Sequence, residues 1–152
     1  MRSTRPTVEE FMTHAPVVVS PGDSLAGAMH TMITHRVRHL PVCDEGRIVG
    51  VVSQRDVYYA QAHQDGSARV IDAMTQFVYT VRPDTPLEEV ARDLEEAKYG
   101  AAVVVLGEQV VGVFTTIDAL HALTTVLAEL RRSSTTQPHM AAVNGAAPKL
   151  EA

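Results

Sequence analysis

Two short stretches hold the residues best suited to chemistry: "GVVSQRD", residues 50–56, and "GVFTTID", residues 112–118. Each places a hydroxyl, Ser53 or Thr115, three residues before a carboxylate, Asp56 or Asp118. Where a strand hands over to a helix this spacing forms a capping box, in which hydroxyl and carboxylate satisfy backbone N–H groups that the first helical turn leaves unpaired. The same groups suit a ligand. A carboxylate accepts two hydrogen bonds from a diol and repels a phosphate, whereas hydroxyls, helix N-terminal amides and cations hold anionic oxygen. A cap does not require the glycine that precedes each box. Gly50 and Gly112 stand where loss of a Cβ lets another backbone or a ligand come close. Finding the pattern twice favours the ligand over the cap alone.

The two glycines are 62 residues apart (112 minus 50), and the same offset pairs Met12 with Met74, Thr13 with Thr75, Pro21 with Pro83, Leu25 with Leu87 and Val42 with Val104. No gap is needed between residues 8 and 120, so the chain carries an internal duplication. Within each copy an apolar run meets Pro21 or Pro83 and gives way to a helical pattern. In the first copy Leu25, Ala28, Met29, Met32 and Ile33 share a face; in the second Leu87, Val90, Ala91 and Leu94 do. Thr85, Pro86 and Glu88 have the types of an N-cap, a first helical residue and a capping-box partner. Two β-branched runs follow, "HLPVCDEGRIVGVVS" and "AAVVVLGEQVVGVFT", each split by a turn and each leading into a second helix. Each copy therefore reads β-α-β-β-α.

The expected organisation is an N-terminal segment over 1–7, repeats over 8–63 and 70–128, a linker over 64–69, and a helix end with a tail over 129–152. The small, polar, Pro-containing sequence from Ser133 predicts disorder. At 45% hydrophobic, 152 residues can bury one sizeable core. A formal charge of −5 argues against non-specific nucleic-acid binding, which needs a basic face. The single cysteine, Cys43, cannot form an internal disulfide; there is neither a secretory signal nor a membrane-length apolar run, so the cytoplasm is expected. The seven histidines show no metal-ligand spacing, and Cys43 lies in an apolar strand without an activating partner. With no P-loop, no dinucleotide-binding glycine fingerprint and no paired base and nucleophile, neither an enzyme nor a metal is expected.

The opening Met-Thr, the apolar-x-Pro turns (Val19, Ser20, Pro21 and Val81, Arg82, Pro83), the "RHLPV" strand and the repeated Gly-apolar-apolar-Ser/Thr-x-x-Asp together resemble the CBS domain over residues 8–128. A tandem pair of such domains is a Bateman module. The resemblance implies an α/β (α+β) fold of two repeats packed through their sheets with pseudo-two-fold symmetry. It also implies a regulatory sensor of adenosine nucleotides, AMP, ADP or ATP, with S-adenosylmethionine or a dinucleotide as further ligands. These would bind in clefts between the repeats, as an energy-sensing device acting on another protein.

On that resemblance Asp56 and Asp118 would hold ribose, while Ser53, Thr115, Thr116, Arg38, His39 and Arg55 would lie towards ribose and phosphate. Arg36 reads as a solvated surface residue. Adenine would lie against Val17 and Tyr79, with Thr13, Thr75, Gly100 and Ala101 completing the pockets. Asp56 would share a cleft with Tyr79, and Asp118 with Val17, although Val17 and Tyr79 are equally what a half-buried strand contains. Leu40, Pro41 and Asp44 are replaced in the second copy by Ala102, Val103 and Leu106, which predicts unequal clefts. The alternative function is a structural dimerisation or interaction module with vestigial clefts. Tyr58, Tyr59, Leu120, Leu123 and Leu127 exceed what two small sheets need to cover, so a homodimer is expected unless Leu123 and Leu127 fold back on the chain's own surface or bind the N-terminal segment. A regulated protein would be the other partner; no membrane is expected.

Overall fold

Helix α1 (Leu25–His35) begins where the Ser24 side chain accepts the Gly27 N–H at 3.0 Å, and it ends on Arg36 in the left-handed conformation, φ 55°. It buries Leu25, Ala28 and Met32. The stripe is narrower than the sequence pattern suggests, for Met29 is only partly buried and Ile33 is exposed. The computed structural model describes residues 5–135. The antiparallel hairpin of β2 (His39–Asp44) and β3 (Arg47–Ser53) follows, closed through Glu45 and Gly46 at φ 50° and 80°. Two positive φ values in a two-residue loop match the twist of the flanking strands. Helix α2 (Gln54–His63) completes the first repeat.

After a short turn, α3 (Val70–Ala73), the order recurs as β4 (Thr80–Val81), α4 (Leu87–Ala97), β5 (Ala101–Leu106), β6 (Gln109–Thr115) and α5 (Thr116–Thr135). The duplication extends to register. His39 pairs with Ser53 as Ala101 pairs with Thr115, and the ladder slips between Val42 and Cys43 as it does between Val104 and Val105. α4 buries Leu87, Val90 and Leu94 and ends on Lys98, left-handed at φ 60° like Arg36. Thr85 is not its cap. The N-cap is Pro86, without a side-chain hydrogen bond, because the Thr85 hydroxyl accepts the Arg82 N–H at 3.1 Å within the preceding turn. Glu88 is likewise engaged elsewhere, pairing with Arg92 one helical turn on at 2.7 Å.

The first strand of each copy is shorter than the apolar runs imply. In the first it reduces to one parallel bridge, Val19 with Val42; in the second it is the two residues of β4 beside β5. Prolines at 16 and 21 bracket the first run, and without N–H groups they cannot extend a ladder. What the sequence did not suggest is an exchange. β1 (Thr13–His14) pairs antiparallel with β6 of the second repeat, Thr13 opposite Val113, while Thr75 exchanges two backbone bonds of 2.9 and 3.0 Å with Val51 of the first. The Val8 N–H donates to Thr85 O and the Val70 N–H to Asp23 O, both at 2.9 Å.

Residues at the edges of the expected segments join this exchange. Pro6 O accepts the Leu87 N–H, Thr7 bridges to Pro86, and Arg69 bridges to Ser24. Each repeat thus completes the edge of the other; Leu40, Val42 and Val52 are buried in one cluster with Val19, Met32 and Val70, and Val103, Val104 and Phe114 are buried in the second repeat. The described residues fall into two units divided between Ala119 and Leu120. The second is the remainder of α5, in which Ser133, Ser134 and Thr135 hydroxyls donate to carbonyls four residues back. Residues 133–135 are therefore helical, not tail; the rest of the expected tail lies outside the described residues.

Candidate functional site

At the end of β3 the Asp56 N–H donates to Ser53 Oγ at 3.0 Å and the Ser53 N–H to Asp56 Oδ2 at 2.8 Å, a complete capping box. At the end of β6 the Thr115 N–H donates to Asp118 Oδ2 at 2.8 Å, but the Thr115 hydroxyl turns onto the same oxygen at 3.2 Å. The box is thus complete in the first copy and half made in the second. In each, Oδ2 accepts the backbone N–H at the end of the strand and the carboxyl stands in the lining of a cavity.

The first cavity, about 510 Å³, brings Asp118, Thr115 and Thr116 together with Thr13 and Val17, and with Arg36, Arg38 and His39. The second, about 900 Å³, brings Asp56, Ser53 and Arg55 together with Thr75, Tyr79, Gly100 and Ala101; Lys98, Arg38, His39 and Thr116 also line it. Every expected site residue therefore lines one cavity or both, with Asp118 beside Val17 in one and Asp56 beside Tyr79 in the other. Arg36 sits at the smaller cavity, as its left-handed counterpart Lys98 sits at the larger.

Gly50 and Gly112 line neither cavity. A Cβ on Gly50 would lie 2.6 Å from Met74 Sδ and 3.0 Å from Thr75 O, and one on Gly112 would run into the Met12 side chain. The glycines admit the exchanged Met-Thr segments, not a ligand. Gly100 has a similar explanation: a Cβ there would lie 2.6 Å from His39 Nε2, so the space is filled by imidazole.

Arg47, Arg82 and Arg92 are ion-paired to Glu108, Asp84 and Glu88. Among the described residues Arg36, Arg38, Arg55 and Lys98, all lining the cavities, have no ion pair and no side-chain hydrogen bond. Set against Asp118 in the smaller cavity and Asp56 and Glu95 in the larger, these cations leave each lining with a small surplus of positive charge, which suits anionic ligands.

Of the aromatic wall the sequence named only Tyr79 for adenine. Tyr79 and Tyr99 stack with centroids 5.4 Å apart, and Phe77 lies tilted against Tyr99 at 5.7 Å. With Tyr58, four of the chain's seven Phe and Tyr residues line the larger cavity, which gives it a stacking surface that the smaller lacks. The Tyr79 hydroxyl donates to Asp93 Oδ2 at 2.6 Å, and burial together with that carboxylate pushes its pKa far up, so the ring is held in place as a neutral phenol. The alternation Phe77-x-Tyr79 and the aromatic beside Gly100 were the available signals.

His39 is pulled down in pKa mainly by burial and further by Arg38, against the opposing pull of Asp56. The unfolded chain then takes up this proton at higher pH than the folded one. Stability from this source is intact above the unfolded pKa of about 6.5 and declines as pH falls through that value towards the folded pKa. A His39→Gln variant should lose less melting temperature than the wild type between pH 7.5 and 5.5. Equal losses in differential scanning calorimetry would show that His39 carries none of the slope.

The CBS-domain family model matches residues 8–63 and 70–125. The chain belongs to that family. It is a tandem CBS pair with the two-repeat α/β architecture expected from its sequence, and CBS pairs of known structure share its fold. A Vibrio cholerae structure assigned as the acetoin utilization protein AcuB is 30% identical, with a TM-score of 0.75 over 85% of this chain and 97% of that one. The CBS pair of protein MJ0100, in complex with 5′-methylthioadenosine and S-adenosyl-L-methionine, is 26% identical, with a TM-score of 0.74 over 80% and 98% of the two chains. CBSX2 from Arabidopsis thaliana, in complex with AMP, is 30% identical, with a TM-score of 0.67 over 79% and 97%. Among curated relatives, L-aspartate semialdehyde sulfurtransferase of Methanocaldococcus jannaschii is 30% identical over 78% of this CBS pair, which spans 23% of that protein's length. No described helix is long and apolar enough to cross a membrane.

Proposed function

We propose that this CBS pair is a regulatory module, not an enzyme, that binds an adenosine nucleotide such as AMP, ADP or ATP and acts on another protein through a ligand-dependent change in the packing of its repeats. The observation that carries the reading is the juxtaposition, in each cleft, of a capped carboxylate with unpaired cations. A ribose diol would donate to Asp56 or Asp118, and phosphate would be held by Arg38, Arg55 and Lys98 in the larger cleft and by Arg36 and Arg38 in the smaller. Adenine would stack on Tyr79 and Tyr99 in the larger cleft and lie against Val17 in the smaller. The AMP and S-adenosylmethionine complexes of structural neighbours support an adenosine ligand.

Isothermal titration with AMP, ADP, ATP and S-adenosylmethionine tests the reading. Micromolar heat with at least one of the four is expected, and at a hundred times its dissociation constant that ligand adds about 2.7 kcal/mol to stability. No heat and no thermal shift with any would sink it. A signal passed to a partner further requires that the ligand bind two states unequally.

The second reading, a dimerisation or interaction module, is favoured by one observation. Leu120, Leu123, Leu127 and Leu130 on α5 are each at least half exposed, as are Tyr58 and Tyr59 on α2. A homodimer through these helices is compatible with either reading. Light scattering should give twice 16.5 kDa; a mass of 16.5 kDa at micromolar concentration removes the dimer.

A further inference from the structure

We propose that the two clefts compete for one Arg38–His39 pair, so that an anionic ligand held in either cleft weakens anion binding in the other. The proposal rests on the nucleotide reading and concerns how the two sites regulate each other.

The geometry follows from a broken symmetry. The helix-terminal cation is duplicated, Arg36 in the smaller cleft and Lys98 in the larger. The next two basic groups are not. Arg38 and His39 correspond to Gly100 and Ala101, which carry no charge and line only the larger cleft. Arg38 and His39 instead line both cavities. The missing side chain at Gly100 is what admits His39, whose ring occupies the volume that a Cβ at position 100 would take. The start of β2 is pinned from α2, where the Gln54 N–H donates to Arg38 O at 2.9 Å, so the pair stands at a fixed place between the clefts.

Arg38 has no acidic partner of its own among the described residues. A guanidinium presents one planar fork, and a phosphate that takes it bidentately leaves little for a second phosphate on the other side. His39 adds to the effect, because one imidazole cannot face two anions with equal strength, and the anions repel each other across it. Each cleft keeps a private cation, Arg36 or Lys98 with Arg55, so the second ligand is weakened rather than excluded. A neutral nucleoside makes no demand on Arg38 and should bind the two clefts independently.

The experiment is titration calorimetry of the full chain with AMP and, separately, with adenosine. Asp118→Ala weakens the smaller cleft by about ten- to a hundred-fold and Asp56→Ala the larger, so the tighter step in each variant gives the affinity of the intact cleft. In the wild type the affinity for two AMP together should fall below the product of the separate affinities by about ten-fold or more, while adenosine should give the product itself. Arg38→Gln, a change at an exposed position, weakens AMP in each cleft alone, but with the same two aspartate variants made in that background the affinity for two AMP should equal the product of its own separate affinities. A wild type that takes one AMP, with its other cleft still open to adenosine, is the strong limit of the expected result. AMP binding equal to the product, or a deficit that Arg38→Gln leaves unchanged, overturns the competition while the nucleotide reading stands. A second cleft that takes neither ligand overturns it too. Absence of heat with every adenosine compound removes the nucleotide reading, and the competition with it.

Discussion

Gly112→Ala should cost about 1 to 3 kcal/mol of stability, the usual penalty for forcing a methyl group into a packed site. Removing the methionine it meets should return part of the loss. The atoms nearest the new Cβ, Met12 Sδ, Cε and Cγ, all belong to one flexible side chain. The double variant Gly112→Ala with Met12→Ala should therefore be less destabilised than the sum of the two single changes, with a coupling of about 1 kcal/mol or more. Met12→Ala alone costs about 2 to 5 kcal/mol, as truncation of a buried methionine does. At the equivalent site the Gly50 Cβ meets Met74 Sδ but also Thr75 O, a backbone atom 3.0 Å away that no side-chain truncation removes. Rescue by Met74→Ala should be smaller. Urea denaturation of the six single and double variants measures both couplings; additivity at 12 and 112 would show that the close approach carries no strain.

That pair of glycines marks where sequence reading stops. The 62-residue offset made the duplication, the hairpins and the strand-to-helix boxes legible, because each depends on contacts within a few residues. The exchange of Met12-Thr13 and Met74-Thr75 between repeats does not. It is a long-range pairing of two-residue segments with no periodicity to betray it, and the only trace was a glycine at each crossing point. Thr85 misled for a related reason. Its spacing fits a cap, but the Arg82 N–H lies within reach and competes for the same oxygen. In the site, the carboxylates, Arg38 and Arg55 could be named from the motif and the internal offset, whereas Arg36 read as solvated surface and Lys98 was not named; both line cavities because each ends its helix beside one. The wall built by Phe77, Tyr79 and Tyr99 required the fold, because Tyr99 lies twenty residues from Tyr79 and reaches it only once α4 has turned the chain back.

Asp56 should separate the two roles that its box combines. Asp56→Ala removes the carboxylate that accepts the Ser53 N–H, which costs about 0.5 to 2 kcal/mol as lost caps do. It should also weaken nucleotide binding in the larger cleft by about ten- to a hundred-fold, the equivalent of losing a charged hydrogen-bond partner worth about 1.5 to 3 kcal/mol. Asp56→Asn decides between cause and consequence. An amide oxygen still accepts from Ser53, so most of the stability should return, but an uncharged group takes a diol more weakly, so affinity should stay low. If affinity recovers with stability, Asp56 serves the ligand only by holding the helix start. If it stays low while the melting temperature recovers, the carboxylate itself holds the ligand. The contrast should be softer in the other repeat: the Thr115 hydroxyl already spends its hydrogen bond on Asp118 Oδ2, so Asp118→Asn disturbs the box and the cleft together.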